Sequence, residues 1–479
     1  GAAGAGDTLN VTNVASGAAL LDTTAIGSLS VKNMEKVNLT SIAGVTTDVS
    51  TWGTTDLTVS NTQAGNITAT GGTTTNTTAT NTFSSGTVTI SGGVAQTAST
   101  VAGAITLSGA SGALTATGTK MAANAVSING GSSVSVTTTG VSTGAITVGG
   151  TTAPTGAVTI SATSGTTGGV TMGAITVNGG TTVTVTETRG NDVNTTDAMG
   201  AVTVNGKSTT TAVTVTQSAK ATASATKSGV TNGDVTITDV NSGSATKAGS
   251  IATVSLTNFK DASVNSGALS TVTLSGSGTT FNAGTSGALT TPAVTTMTLN
   301  ANGITTTGAV TFDADFTTLN VVTGSGNSTL ASLVSSGAKT VNISGDKGLT
   351  VSAHTLSSSA VITSTTTGDV TFTGALAAGV KYTGGAGVDT ITTTTGSTKA
   401  ISTGAGNDVI TYGGPVAAGG SIDAGDGTDT LIMTAAQAQT TTTDGTFALS
   451  VSNIEKLSVG ATAAATTINM NYADGINDV

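Results

Sequence analysis

Valine and isoleucine alternate with threonine along most of the chain. Residues 182–186 read TVTVT, 212–216 AVTVT and 134–137 VSVT. A period of two puts Val and Ile on one side of an extended strand and Thr or Ser on the other. β-Branched side chains suit a pleated surface. Gly, Asn, Ser and Asp punctuate these runs as turn residues. No long stripe of helical period occurs, and Leu, Glu, Lys and Arg, which would fill one, are scarce. The pattern predicts an all-β chain of short strands.

One unit recurs: Gly, a small or polar residue, Val or Ile, Thr, then an apolar residue. It stands at 86–90 (GTVTI), 103–107 (GAITL), 144–148 (GAITV), 156–160 (GAVTI) and 173–177 (GAITV). It returns at 200–204 (GAVTV), 233–237 (GDVTI), 308–312 (GAVTF) and 368–372 (GDVTF). Longer versions open at Asn129 (NGGSSVSVT), Asn178 (NGGTTVTVT) and Asn205 (NGKSTTTAVTVT). Short strands repeated between small turns predict an elongated parallel β-solenoid, or β-roll. The repeat spacing is uneven, which predicts coils with variable loops. At ~20 residues per coil and ~4.8 Å rise, the rod would be on the order of 100 Å long.

A second repeat links the two ends. Residues 29–39 read LSVKNMEKVNL and residues 449–459 read LSVSNIEKLSV. Each follows an Asp-Thr-Leu, at Asp7 and Asp429. The expected organisation is a turn-plus-strand module at 1–45, a Thr/Gly-rich solenoid body at 46–380, and a β-roll with a terminal strand module at 381–479. The Thr/Asn-rich stretch 61–82 carries the fewest apolar residues and reads as a decorated coil or a flexible joint.

Composition then excludes several function classes. With 14 Lys+Arg against 24 Asp+Glu and a net charge of −10, no basic face is available for nucleic acid. One His and no Cys leave almost no ligands for zinc or iron–sulfur chemistry. With 2% aromatic residues, neither a large compact core nor sugar-stacking platforms can be built. No apolar run approaches the ~18 residues of a membrane helix. The mean hydropathy of +0.24 and the β-branched content disfavour disorder. Roughly a quarter of the chain is threonine, far above ordinary usage. No signal peptide opens the sequence, which reads as a segment of a longer protein.

The remaining chemistry lies near the end. Residues 384–391 read GGAGVDTI, 403–410 TGAGNDVI and 424–431 AGDGTDTL. Each fits the glycine-rich nonapeptide G-G-x-G-x-D-x-U-x, complete in the first and lacking the first Gly in the other two. Glycine permits turns with positive φ. Carbonyls and the Asp carboxylate then offer the hard oxygens that Ca²⁺ takes. The expected ligands are Asp389, Asp408 and Asp429, held by turns at Gly385, Gly387, Gly404, Gly406, Gly425 and Gly427. Asn407, Asp423 and Asp426 are additional candidates. The spacing would stack these loops on one edge. The opposite edge, residues 396–401 and 418–422, carries no Asp at the ligand position.

Weaker candidates are Asp7, in a motif one residue short of the pattern, and Asp234 and Asp369, each opening a strand. Asp192, Asp197, Asp239, Asp313 and Asp315 read as turn or cap residues. Glu35 and Glu455, each followed by Lys, read as an edge ion pair or a polar strand cap. His354 has no acid or nucleophile at a recognisable spacing, and Trp52 reads as packing.

The nonapeptides resemble those of RTX proteins, which Gram-negative bacteria export by type I secretion. The wider pattern is similar to the RTX-type surface-layer (S-layer) proteins, most closely the RsaA-type family of Caulobacter. Residues 208–217 (STTTAVTVTQ), 233–239 (GDVTITD), 251–256 (IATVSL), 340–346 (TVNISGD), 382–391 (YTGGAGVDTI), 398–410 and 418–431 (AGGSIDAGDGTDTL) carry the likeness. It covers residues 140–460 well and the first part more loosely. The resemblance implies a self-assembling, calcium-dependent two-dimensional lattice on the cell surface, with several calcium ions. It implies the chain itself as partner, and lipopolysaccharide through an anchoring domain not visible in this sequence.

Two other classes compete. A secreted calcium-binding RTX adhesin would show long near-identical domains, and none is seen. Thr-rich solenoids can also present flat arrays to ice, which uneven coils disfavour. A polysaccharide-cleaving β-helix enzyme needs paired carboxylates and aromatic platforms. The chain therefore reads as non-enzymatic.

Overall fold

The computed structural model describes residues 6–14, 21–24, 31–166, 168–190, 196–219, 230–284, 289–442, 444–460, 468, 470–471, 473 and 475–479. Strand accounts for 49% of the chain and helix for 3%, so the fold is all-β. Among the described residues the named pairings are parallel, and most strands pair with the strand two places along the chain, as in a β-solenoid; where the short strands Asp197–Ala198 and Val230–Thr231 intervene and pair with each other, the step is three. The chain divides into two compact units. One comprises residues 1–241 and 249–251, the other 242–248 and 252–479.

In the first unit two parallel ladders alternate along the chain. One carries Lys36–Ser41, Asp56–Asn61, Asn76–Asn81, Gln96–Thr100, Ala113–Gly118, Ser133–Val141, Val158–Ser164, Thr182–Thr188 and Ala212–Ser218. The other runs from Val45–Asp48 through Ile67–Thr70 and Val88–Ser91 to Val235–Thr238. Register holds through coils of unequal length, apart from irregularities at Ser108/Ala110 and Thr138/Val141. Leu39, Val59, Ala79, Ala98, Ala116, Val136, Ile160, Val185 and Val215 form one buried inward column. Thr58, Thr78, Thr97, Thr115, Ser135, Thr159, Thr184 and Thr214 form an outward one in the same ladder. The period-two alternation is thus read out directly: methyl-rich side chains in, hydroxyls out.

Residues 61–82 form an ordinary coil. Its turns are filled from inside by asparagine rather than by apolar groups. Buried Asn61 accepts the Gly44 N–H at 3.2 Å and donates to the Gly65 carbonyl at 2.9 Å. Buried Asn81 donates to the same Gly65 carbonyl at 3.0 Å. These amides satisfy turn groups that would otherwise be buried without partners.

The second unit repeats the architecture with larger core residues. Val341, Ile362, Tyr382, Ile401 and Ile422 align in one inward column. Val351, Phe372, Ile391, Ile410, Leu431 and Leu457 align in another. Phe259, Phe281, Phe312 and Phe316 stack edge-to-face or tilted, with centroids 6.0–6.5 Å apart. Much of the chain's small aromatic content is thus concentrated where it packs against itself. Two short helices, Ala435–Thr441 and Gly445–Ser450, follow the last nonapeptide. Thr434 and Gln437 make a capping box for the first, and Asp444 caps the second. The strand pattern did not anticipate them, since neither is long enough to show a helical period.

Candidate metal centre

The site lies in the second unit and grows out of the core columns. Leu349 aligns with Val370, and Val370 aligns with Asp389. From there the strand registers carry the column through Asp408 and Asp429 to Glu455. A position that is apolar in earlier coils therefore becomes carboxylate in three successive nonapeptides. All three aspartates are at most 1% exposed.

Each carboxylate holds the backbone of the coil before it. The Asp389 N–H donates to Asp408 Oδ1 at 2.7 Å. The Asp408 N–H donates to Asp429 Oδ1 at 2.7 Å. The Asp429 N–H donates to Glu455 Oε2 at 2.8 Å. At the top of the column the Tyr382 hydroxyl donates to Asp389 Oδ2 at 2.8 Å. The other oxygens, Asp389 Oδ1, Asp408 Oδ2 and Asp429 Oδ2, are buried and take no hydrogen bond.

Two of these carboxylates, Asp389 and Asp429, resist ionisation. Burial pushes Asp389 up to about 7; the Tyr382 hydrogen bond opposes this, the Asp408 charge adds to it, and the backbone amides of Val370 and Gly385 oppose it more weakly. Burial likewise pushes Asp429 up to about 6. The Asp408 amide opposes this shift, while the charges of Asp408, Glu455 and Asp423 add to it. Tyr382 is raised by burial and by the Asp389 charge. Protons or a cation must compensate such a column.

The glycines let adjacent coils approach. Gly404 and Gly425 sit at φ 101° and 89°, a region closed to most side chains. A Cβ on Gly425 would run into the Gly404 carbonyl, and one on Gly404 into the Gly385 carbonyl. Gly406 has φ 137°, and a Cβ there would press on the Gly387 carbonyl. Gly427 stands over the Gly406 carbonyl in the same way. The Ala405 N–H donates to the Gly385 carbonyl at 2.9 Å and the Asp426 N–H to the Gly404 carbonyl at 2.8 Å. The opposite edge is closed by neutral groups instead: buried Ser397 donates to the Thr394 carbonyl at 2.8 Å.

The other candidates are placed differently. Asn407 and Asp369 lie in the neighbouring, outward column. Asn407 accepts the Thr428 N–H at 2.9 Å and Asp369 the Val388 N–H at 3.0 Å. Both are exposed. Asp423 accepts from Asn453 Nδ2 at 2.6 Å. The Asp426 side chain is exposed. Asp234 is exposed in the first unit. Asp7, also in that unit, donates its N–H to Glu35 Oε2 at 3.0 Å. Residues 4–5 of its motif, residues 29–30 of the first Asn-x-Glu-Lys repeat, and Asp192 lie outside the described residues. His354 Nε2 meets the Gly374 carbonyl at 3.1 Å and its ring packs on Phe372. Trp52 is buried.

Among the described residues no three His, Cys, Asp or Glu side chains gather around one point. Any cation held here would draw on two carboxylates from adjacent coils at most, completed by other oxygens. That is hard-oxygen chemistry suited to Ca²⁺.

A second buried polar cluster lies in the first unit; of its members the sequence reading singled out only Asp197. Glu187, Arg189, Asp197 and Gln217 are all 0% exposed. Gln217 Nε2 donates to Glu187 Oε2 at 2.7 Å, and the Gly200 N–H to Glu187 Oε1 at 3.0 Å. Burial pushes Glu187 up to about 7 against these hydrogen bonds. Asp197, which read as a turn or cap residue, is buried and accepts from the Ser164 hydroxyl and from the Val170 N–H.

Compared with known proteins, the chain matches no family model and no curated protein.

Proposed function

We propose that this chain is the lattice-forming part of a calcium-dependent, self-assembling bacterial surface-layer protein of RTX type. The observation that carries the reading is the buried column Asp389–Asp408–Asp429, with one unpartnered oxygen on each carboxylate. Calcium between adjacent coils would bind the unpartnered oxygens and remove the like-charge cost. Only the folded β-roll holds the ligands together, so binding energy becomes folding energy. Asp389, Asp408 and Asp429 would be the main ligands, with the glycine turns setting the coil approach.

This chemistry suits a protein exported unfolded, by type I secretion, at low cytosolic calcium and folded outside the cell. Extracellular sites work at Kd ~10⁻⁴–10⁻³ M. Outward columns of short, uncharged hydroxyl side chains suit repeated contact with further copies of the chain, since little side-chain entropy is lost when they are covered.

Electron microscopy of the purified chain in millimolar calcium and in chelator tests the reading. Ordered sheets with calcium and dispersed particles with chelator are expected. A chain that stays monomeric in calcium under every condition would overturn the lattice and leave a calcium-binding adhesin as the better reading.

A further inference from the structure

The nonapeptides end at Asp429, but the carboxylate column does not. The pairing of Thr430 with Lys456 brings Glu455 into line with Asp429. Glu455 then accepts the Asp429 N–H at 2.8 Å, just as Asp429 accepts the Asp408 N–H at 2.7 Å. No glycine turn precedes it. The chain enters through Asn453 at φ 56° and buried Ile454. The extra methylene of glutamate supplies the reach that an aspartate has within a nonapeptide loop.

We infer that Glu455 is the terminal ligand of the column, and that a divalent cation of calcium's hard-oxygen preference binds between Glu455 and Asp429, outside the nonapeptide repeats. The inference rests on the calcium reading of the column and extends it by one site. Asp429 spends Oδ1 on the Asp408 amide, while its Oδ2 is fully buried without a partner. Glu455 and Asp423 both bear electrostatically on that carboxylate. Among the described residues no ion pair to these carboxylates is formed, and the neighbouring Lys456 is exposed. A buried, half-used carboxylate in register with a second carboxylate one coil away calls for a shared cation.

The pairing is a built device rather than a local accident. The same Asp-Thr-Leu and Asn-x-Glu-Lys pieces recur in the first unit. There the Asp7 N–H donates to Glu35 Oε2 at 3.0 Å, with Thr8 aligned on Lys36. The same motif thus forms the same rung in each unit.

The test counts bound calcium on the full chain by equilibrium dialysis at saturating calcium. E455Q should bind one ion fewer than wild type, while K456Q, altered at an exposed neighbour, binds the wild-type number. An unchanged number in E455Q, with D408N still losing calcium, overturns this inference alone. A wild-type chain that binds no calcium overturns the column reading as well. Should E455Q fail to fold, wild-type crystals soaked in terbium decide the matter. An anomalous peak between Asp429 and Glu455 supports the site. Peaks beside Asp408 with none at Glu455 overturn it.

Discussion

The Asp389 amide, 2.7 Å from Asp408 Oδ1, ties one coil to the next across 19 residues of sequence. The bond joins a backbone donor to a side chain that is itself a candidate ligand. Removing Asp408 therefore has two separable effects. In chelator, D408A leaves the buried Asp389 N–H unpaired and should cost about 1–3 kcal/mol. In calcium the loss should be larger, because a ligand goes too. Urea unfolding in both buffers measures the pair. Equal losses would mean that Asp408 only caps an amide.

Acidity should act oppositely with and without calcium. Asp389 titrates at about 7 in the folded chain against 3.8 as a free group, and Asp429 at about 6 against 3.8. The folded state thus holds more protons than the unfolded state between roughly pH 4 and 7. Its stability in chelator is highest below that window and falls as pH rises through it. Calcium needs the deprotonated carboxylates, so its affinity should rise over the same range. Unfolding midpoints at pH 5 and 8 check both slopes. Glu187, also raised to about 7, adds the same sign in the first unit, and its share should persist in calcium and vanish in E187Q.

Gly425→Ala should be disruptive out of proportion to one methyl group. The residue sits at φ 89°, and its Cβ would meet the Gly404 carbonyl. Strain of about 1–3 kcal/mol is expected from the conformation alone, with loss of the calcium-dependent rise in melting temperature. Gly243→Ala, with open space around its Cβ, should change nothing measurable. Calorimetric melting of both variants with calcium compares them.

Phe281 lies at the centre of the aromatic stack, fully buried, with centroids 6.4 Å from Phe259 and 6.0 Å from Phe312. F281A should cost about 3–5 kcal/mol. The effect should be the same in calcium and in chelator, since no carboxylate of the column is among its ring partners. A urea series in each buffer measures it, and a calcium-dependent cost would show the core and the column to be coupled.

The strands were legible because the period of two is almost unbroken, and the turns because Gly, Asn and Asp mark them. The aspartates were legible because the nonapeptide spells its own turn. Their inward direction was not, since one residue of register decides whether Asp389 follows Val370 into the core or stays outside like Asp369. Glu455 read as an edge ion pair or a polar strand cap, and its place in the column emerges only from pairing across 26 residues. Glu187 and Gln217 occupy matched positions in TVTVTET and AVTVTQS, so aligning those repeats could have flagged them. The asparagine filling of residues 61–82 hid a regular coil, because buried amides there do the work of apolar side chains.

The central claim is that the buried column binds calcium. Isothermal titration of the wild-type chain and of a D389N/D408N/D429N variant with calcium, at pH 7.5, tests it most directly. The account predicts saturable binding to wild type and loss of that binding in the variant. Equal heats and stoichiometry in the two proteins, or no binding to wild type, would contradict it.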